Sequence, residues 1–154
     1  QTTAVSVEPD AAVVVGDVFV PDGLSDHDPF GFDHYHSRVE ATVDGSLVCA
    51  DAVDLRPGER DPRGPATMGD HAVVGTLYVV APESAAGRLA DRIYDRLASR
   101  SVAAGASVLR QDAGAPVRIL ADRSTDVTDA LHAAWDETRQ ALLGVGAPPS
   151  VRGR

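Results

Sequence analysis

Residues 34–55 read HYHSRVEATVDGSLVCADAVDL. Val39, Ala41 and Val43 alternate with Arg38, Glu40 and Thr42, Asp44-Gly45 interrupts, and a second run follows from Leu47 to Leu55. Two runs of period 2 joined by Asp-Gly predict a β-hairpin, because a type I′ turn needs positive φ at both central residues. A two-residue loop at Asp44-Gly45 pairs Val43 with Ser46, Ala41 with Val48 and Val39 with Ala50 on one face. The other face then sets Thr42 beside Leu47, Glu40 beside Cys49, Arg38 beside Asp51, His36 beside Val53 and His34 beside Leu55. Apolar groups on both faces imply a hairpin sandwiched in a layered β structure, with neither face fully wet.

On the N-terminal side, Gln1 to Val7 alternates with Thr3, Val5 and Val7 on one side, and Glu8-Pro9-Asp10 supplies a turn. The valine-rich run Ala11–Val20 favours a strand, with Gly16 marking a bulge or a close backbone approach. Pro21–Phe32 is a Gly, Pro and Asp loop. On the C-terminal side, the prolines and glycines of Arg56–Asp70 exclude a regular element, while the uncharged Ala66-Thr67-Met68-Gly69 end is expected to pack. His71–Ala81 is the most apolar run and predicts a strand in the middle of its sheet, with Gly75 where something packs closely.

The period then changes. Ala86, Leu89, Ile93 and Leu97 form one stripe of an amphipathic helix over Glu83–Ser99, starting at Pro82 or Ser84. Arg88, Arg92, Arg96 and Arg100 form a second row at i+4 spacing, either a solvated face relieved by Asp91 and Asp95 or a docking surface for an acidic partner. Two short strands, Ala106–Leu109 and Val117–Ala121, flank a turn at Asp112–Ala115. Asp122-Arg123-Ser124-Thr125 leads into a second helix capped by Ser124 or Thr125, with Val127, Leu131, Trp135, Thr138 and Leu142 buried and Gly144 or Gly146 as the stop. The expected fold class is α+β, mainly β: a layered antiparallel or mixed β scaffold with two C-terminal amphipathic helices.

Length allows one ordinary domain with its own core, so residues 1–154 are expected to form a single domain. Its 23 acidic and 14 basic residues give a formal charge of −9, which argues against nucleic acid as the main partner. No apolar run reaches the roughly 18–20 residues of a membrane span, so no membrane role and a cytoplasmic location are expected. A lone cysteine, Cys49, excludes an intrachain disulfide and a Cys-rich metal site.

Two constellations could carry chemistry. Asp26, His27, Asp28, Asp33, His34 and His36 offer imidazole and carboxylate ligands, and His34 and His36 at i,i+2 point to one side of a strand. A metal-binding module or metal-dependent enzyme using His27, His34 and His36 is therefore one alternative, with the third ligand coming from the His27 loop or from His71. His132, between Asp129 and Asp136, reads as local polar contacts. Gly-x-Ser-x-Gly, HExxH and phosphate-loop patterns are absent, and the chain has no lysine, which removes Schiff-base and P-loop chemistry. Cys49 as a nucleophile would need a nearby imidazole and a lowered pKa, and Glu40 opposite it would act the other way.

Three segments, in this order and spacing, resemble the C-terminal half of the urease accessory protein D family, called H in some bacteria. They are SRVEATVDGSLVCADAVDLRPG, GPATMGDHAVVGTLYVVAP and PVRILADRSTDVTDALHAAWDETRQALLG. Arg38, Glu40, Asp44 and Gly45 match the hairpin motif, Gly75 and Thr76 the strand motif, and Arg118, Trp135, Arg139 and Gly144 the closing module. The resemblance implies a turn at Asp44-Gly45, a core anchor at Trp135 and a helix-to-loop tie at Arg139. It also implies the C-terminal part of a longer urease maturation protein, a non-catalytic scaffold or chaperone for nickel insertion. Its implied partners are accessory proteins F and G (the GTPase) and the urease apoprotein, with no tightly bound cofactor and only transient nickel passage. His34 and His36 depart from the family pattern.

Overall fold

A computed structural model of the chain describes residues 1–21, 29–65 and 67–149. Seven strands and two helices occur among them: β1 Thr2–Val7, β2 Val13–Phe19, β3 Tyr35–Val43, β4 Ser46–Leu55, β5 Val73–Val80, α1 Ala86–Ala98, β6 Ala103–Ala106, β7 Gly114–Ala121 and α2 Ser124–Leu143. One sheet has the order β1-β3-β4 and the other β2-β5-β7-β6. All pairings are antiparallel except β1 with β3, which run parallel. The expected α+β, mainly β class is observed. Among the described residues no helix is long and apolar enough to cross a membrane.

The four-stranded sheet is the middle of three layers. Its outer face carries Val73, Leu77, Val79, Val117 and Ile119, which pack with Leu89, Ile93 and Leu97 of α1 and Val127, Ala130 and Ala134 of α2. Its inner face carries Tyr78 and Val80 against Val39, Ala41, Val48 and Cys49 of the three-stranded sheet. Strand β5 is covered on both sides, which is why His71–Ala81 reads as a continuous apolar run. Its glycine answers the need for close approach: a Cβ on Gly75 would lie 2.4 Å from Val127 Cγ1.

The Asp44-Gly45 turn forms as expected, with φ of 47° and 74°, and Val43 pairs with Ser46 and Thr42 with Leu47. Beyond that the register departs from expectation. The ladder shifts between Ala41 and Thr42, so Ala41 pairs with Cys49 and Val48 is an extra residue on β4. Consecutive Val48 and Cys49 are both buried, at 1% and 6% exposure. Every later pair moves by one: Glu40 meets Ala50, Val39 meets Asp51 and His36 meets Asp54. Asp51 thereby joins the inward row, while His36, Arg38, Ala50, Ala52 and Asp54 form an exposed outer face. The hairpin therefore has one wet face.

Other departures are local. Gly16 pairs regularly with Leu77 and marks no bulge. Strand β6 is Ala103–Ala106, not Ala106–Leu109, because pairing with Val117–Leu120 supports small residues of low intrinsic β preference. Helix α1 starts after Ala85 and α2 after Arg123, neither with a side-chain cap. Gly144 ends α2 in the left-handed region, at φ 70°. Residues 56–70 hold no helix or strand among those described; of the end expected to pack, Met68 is 3% exposed, Thr67 is exposed and Ala66 lies outside the described residues.

Candidate functional site

The space between the two sheets is apolar at one end and polar at its centre. The bulge aims Asp51 across the gap at β5 and β7, where Tyr78 Oη donates to Asp51 Oδ2 at 2.6 Å and the Arg118 guanidinium pairs with the same oxygen. Asp17, Thr76 and Arg118 lie in register across β2, β5 and β7, forming a polar row on the facing sheet. Ser37, 6% exposed, and Asp51 contribute from the other side. Past them the gap ends in an aromatic group, with the Phe19 and Tyr35 rings 4.4 Å apart and Phe32 edge-on to both.

Two cavities flank this centre. One of about 250 Å³ runs towards Phe19, Tyr35 and Met68. Another of about 550 Å³ opens beside Cys49, Val108 and Arg110. Asp51, Thr76, Tyr78 and Arg118 line both, and so form the wall they share. Burial, then the hydrogen bond to Asp51, pushes the Tyr78 phenol well above its ordinary range. Burial, then the Asp51 charge, raises the Cys49 thiol. Cys49 is thus a protonated wall residue, and its acidic neighbour is Asp51 in place of the expected Glu40.

The histidines are dispersed. His34 and His36 lie side by side on the outer face, ring centres 6.3 Å apart. Asp54 replaces Val53 and Leu55 as their cross-strand neighbour, with His34 Nε2 3.2 Å from Asp54 Oδ2. Arg56 donates to the other Asp54 oxygen, and its hydrogen bond, with that of His34, holds the Asp54 carboxyl below its usual range. His71 contacts Asp122 at 3.3 Å, away from this pair, and Asp26, His27 and Asp28 lie outside the described residues. Among the described residues no three His, Cys, Asp or Glu side chains are grouped to hold a metal ion as they stand.

The arginine row splits. Arg92 donates to Glu137 at 2.7 Å and Arg96 lies 3.7 Å from Asp136, so the two central arginines tie α1 to α2, and Asp91 and Asp95 are not their ion-pair partners. Arg88 borders a cavity against the end of α2, and Arg100 borders another beside His71 and Arg123. Trp135 is half-buried and packs edge-on to His132, with the Arg139 guanidinium 5.6 Å from its ring. It stands outside the buried core cluster and packs against His132 and Arg139, the side chains that reach the chain after α2. There Arg139 donates to Gly146 O as expected, Ala147 N donates to Asp136 at 2.8 Å and His132 Nε2 lies 2.9 Å from Pro148 O.

Sequence reasoning missed Asp51 and Tyr78, and reached Thr76 and Arg118 only through the family motifs. The residue signal was there: the phase Cys49, Asp51, Val53, Leu55 is apolar except for one carboxylate.

A family model described as UreD urease accessory protein matches residues 1–153. Urease accessory protein UreD of Haloquadratum walsbyi is 60% identical over 148 residues, covering 96% of this chain and 49% of the relative. That of Natronomonas pharaonis is 58% identical over 153 residues, covering 99% and 51%, and UreD 2 of Streptomyces griseus is 35% identical, covering 96% and 52%. The chain spans about half the length of the curated relatives it matches.

Proposed function

The chain belongs to the UreD urease accessory protein family, and from that premise we propose that it serves urease maturation as a non-catalytic scaffold through which nickel moves between the two sheets. The observation that carries this reading is the polar cluster of Asp51, Thr76, Tyr78 and Arg118 between the sheets, which lines two cavities. A passage must bind its cargo well enough to admit it and weakly enough to release it. A carboxylate shared with a guanidinium and a phenol meets that need, because Asp51 offers a divalent ion oxygen while Arg118 and Tyr78 compete for it. A net charge of −9 favours approach of cations in general. The nickel is cargo, with no resident cofactor in this reading.

Its partners in this reading are accessory proteins F and G and the urease apoprotein, in the cytoplasm. Arg88 and Arg100, the outer members of the row, are the arginines left for an acidic partner surface, since Arg92 and Arg96 are engaged with α2.

The test is co-expression of the urease structural and accessory proteins with Asp51→Asn or Thr76→Val, both close in shape to the native residue. Complex formation is expected to persist while urease nickel content and activity fall. Unchanged activation by both variants overturns the passage.

A further inference from the structure

A second feature stands on the outer face of the three-stranded sheet. Asp54 borders the first cavity and faces outward beside His34 and His36, both exposed. A carboxylate only accepts hydrogen bonds, so the 3.2 Å contact between Asp54 Oδ2 and His34 Nε2 requires that Nε2 carry the proton. In the neutral imidazole that leaves His34 Nδ1 as a lone-pair donor. Arg56 holds the other Asp54 oxygen at 3.1 Å and fixes the carboxylate in place. This is the arrangement by which a carboxylate orients a metal-ligating imidazole through its far nitrogen.

We propose that His34, through Nδ1, and His36 form a two-imidazole chelate for a divalent first-row transition ion on the outer face of β3, with Asp54 positioning His34. The two residues stand at i,i+2 and project to one side, with ring centres 6.3 Å apart. For both nitrogens to reach one ion at about 2.0–2.1 Å the rings approach by roughly 1 Å, a rotation that exposed side chains make without disturbing the sheet. Neutral imidazole suits zinc, copper and nickel, and leaves calcium and magnesium to oxygen ligands. Two protein ligands leave the remaining positions to water, so the ion is held loosely and can be handed on. That the native ion is nickel rests on the maturation reading above; the chelate itself does not.

The experiment is titration of the untagged chain with nickel(II) sulfate by calorimetry, together with long-range ¹H–¹⁵N spectra of its histidine rings. Saturable 1:1 binding is expected, lost in His34→Ala and in His36→Ala, and retained when His71 and His132 are both changed to alanine. Asp54→Ala is expected to weaken binding roughly tenfold and, without metal, to remove the Nε2–H preference of His34, a signature that a purely structural role for Asp54 would not move. Binding undiminished by loss of both His34 and His36, or that follows His71 and His132, overturns the chelate. Binding lost in the double variant with urease activation unchanged leaves the chelate standing and overturns its place in nickel delivery, whereas Asp51→Asn, which leaves His34 and His36 intact, is expected to spare this binding.

Discussion

Tyr78 shows how one side chain ties the two sheets together. Its ring lies in the inter-sheet core at 6% exposure while its hydroxyl donates to Asp51 across the gap. Tyr78→Phe removes a bond to a charged acceptor, and a loss of about 1.5 kcal/mol is expected, the low end for such bonds because Asp51 keeps Arg118. A lower urea midpoint at unchanged slope is the readout. The phenol is raised above its ordinary value of 10.0 by burial and by Asp51, so the folded chain favours the neutral form. Stability from this contact is therefore complete below about pH 10 and drains as pH rises beyond it, and Tyr78→Phe is expected to flatten that alkaline loss. None of this was visible in a residue-by-residue reading, because Tyr78 sits in a run apolar enough to absorb it.

Elements were legible where a local rule fixed them. Asp44-Gly45 dictated its turn, and the stripe of Ala86, Leu89, Ile93 and Leu97 dictated the buried face of α1, all four being buried. The bulge was less legible, since a single extra residue at Val48 leaves the alternation intact on both sides and only shifts its phase. Gly75 within the apolar run marks close packing, and α2 supplies the neighbour. Gly75→Ala forces Val127 or Leu131 to move within a buried layer, and a loss of about 1–3 kcal/mol is expected in thermal or chemical unfolding. The chain after α2 is held by Asp136, whose carboxyl is kept below its ordinary value of 3.8 by the Ala147 amide first and then by Gln140 and Arg96. Because the folded value is depressed, this tie is complete above that pH and is lost as pH falls through the lowered one. Acid below pH 4, or Asp136→Asn, is expected to shift the emission of Trp135, the chain's single tryptophan, before global unfolding.

At the scale of the whole molecule, the class, a layered β scaffold and the two helices were readable, but the assignment of strands to layers was not. Two long-range facts decide it: β1 pairs in parallel with β3 across the whole of β2, and β2 joins the other sheet as a neighbour of β5. Neither partner choice leaves a local trace, because period 2 reports only which residues share a face. The cleft is a product of that layering, formed where a bulge on one sheet turns a carboxylate towards an arginine and a tyrosine on the other. Its role is tested most directly by metal analysis of urease purified from cells that carry Asp51→Asn in the chain's natural gene context, alongside pull-down of the accessory assembly. Nickel-poor, weakly active urease from an intact assembly is the expected result. Urease with full nickel content and activity would contradict the assignment of the cleft as the nickel path.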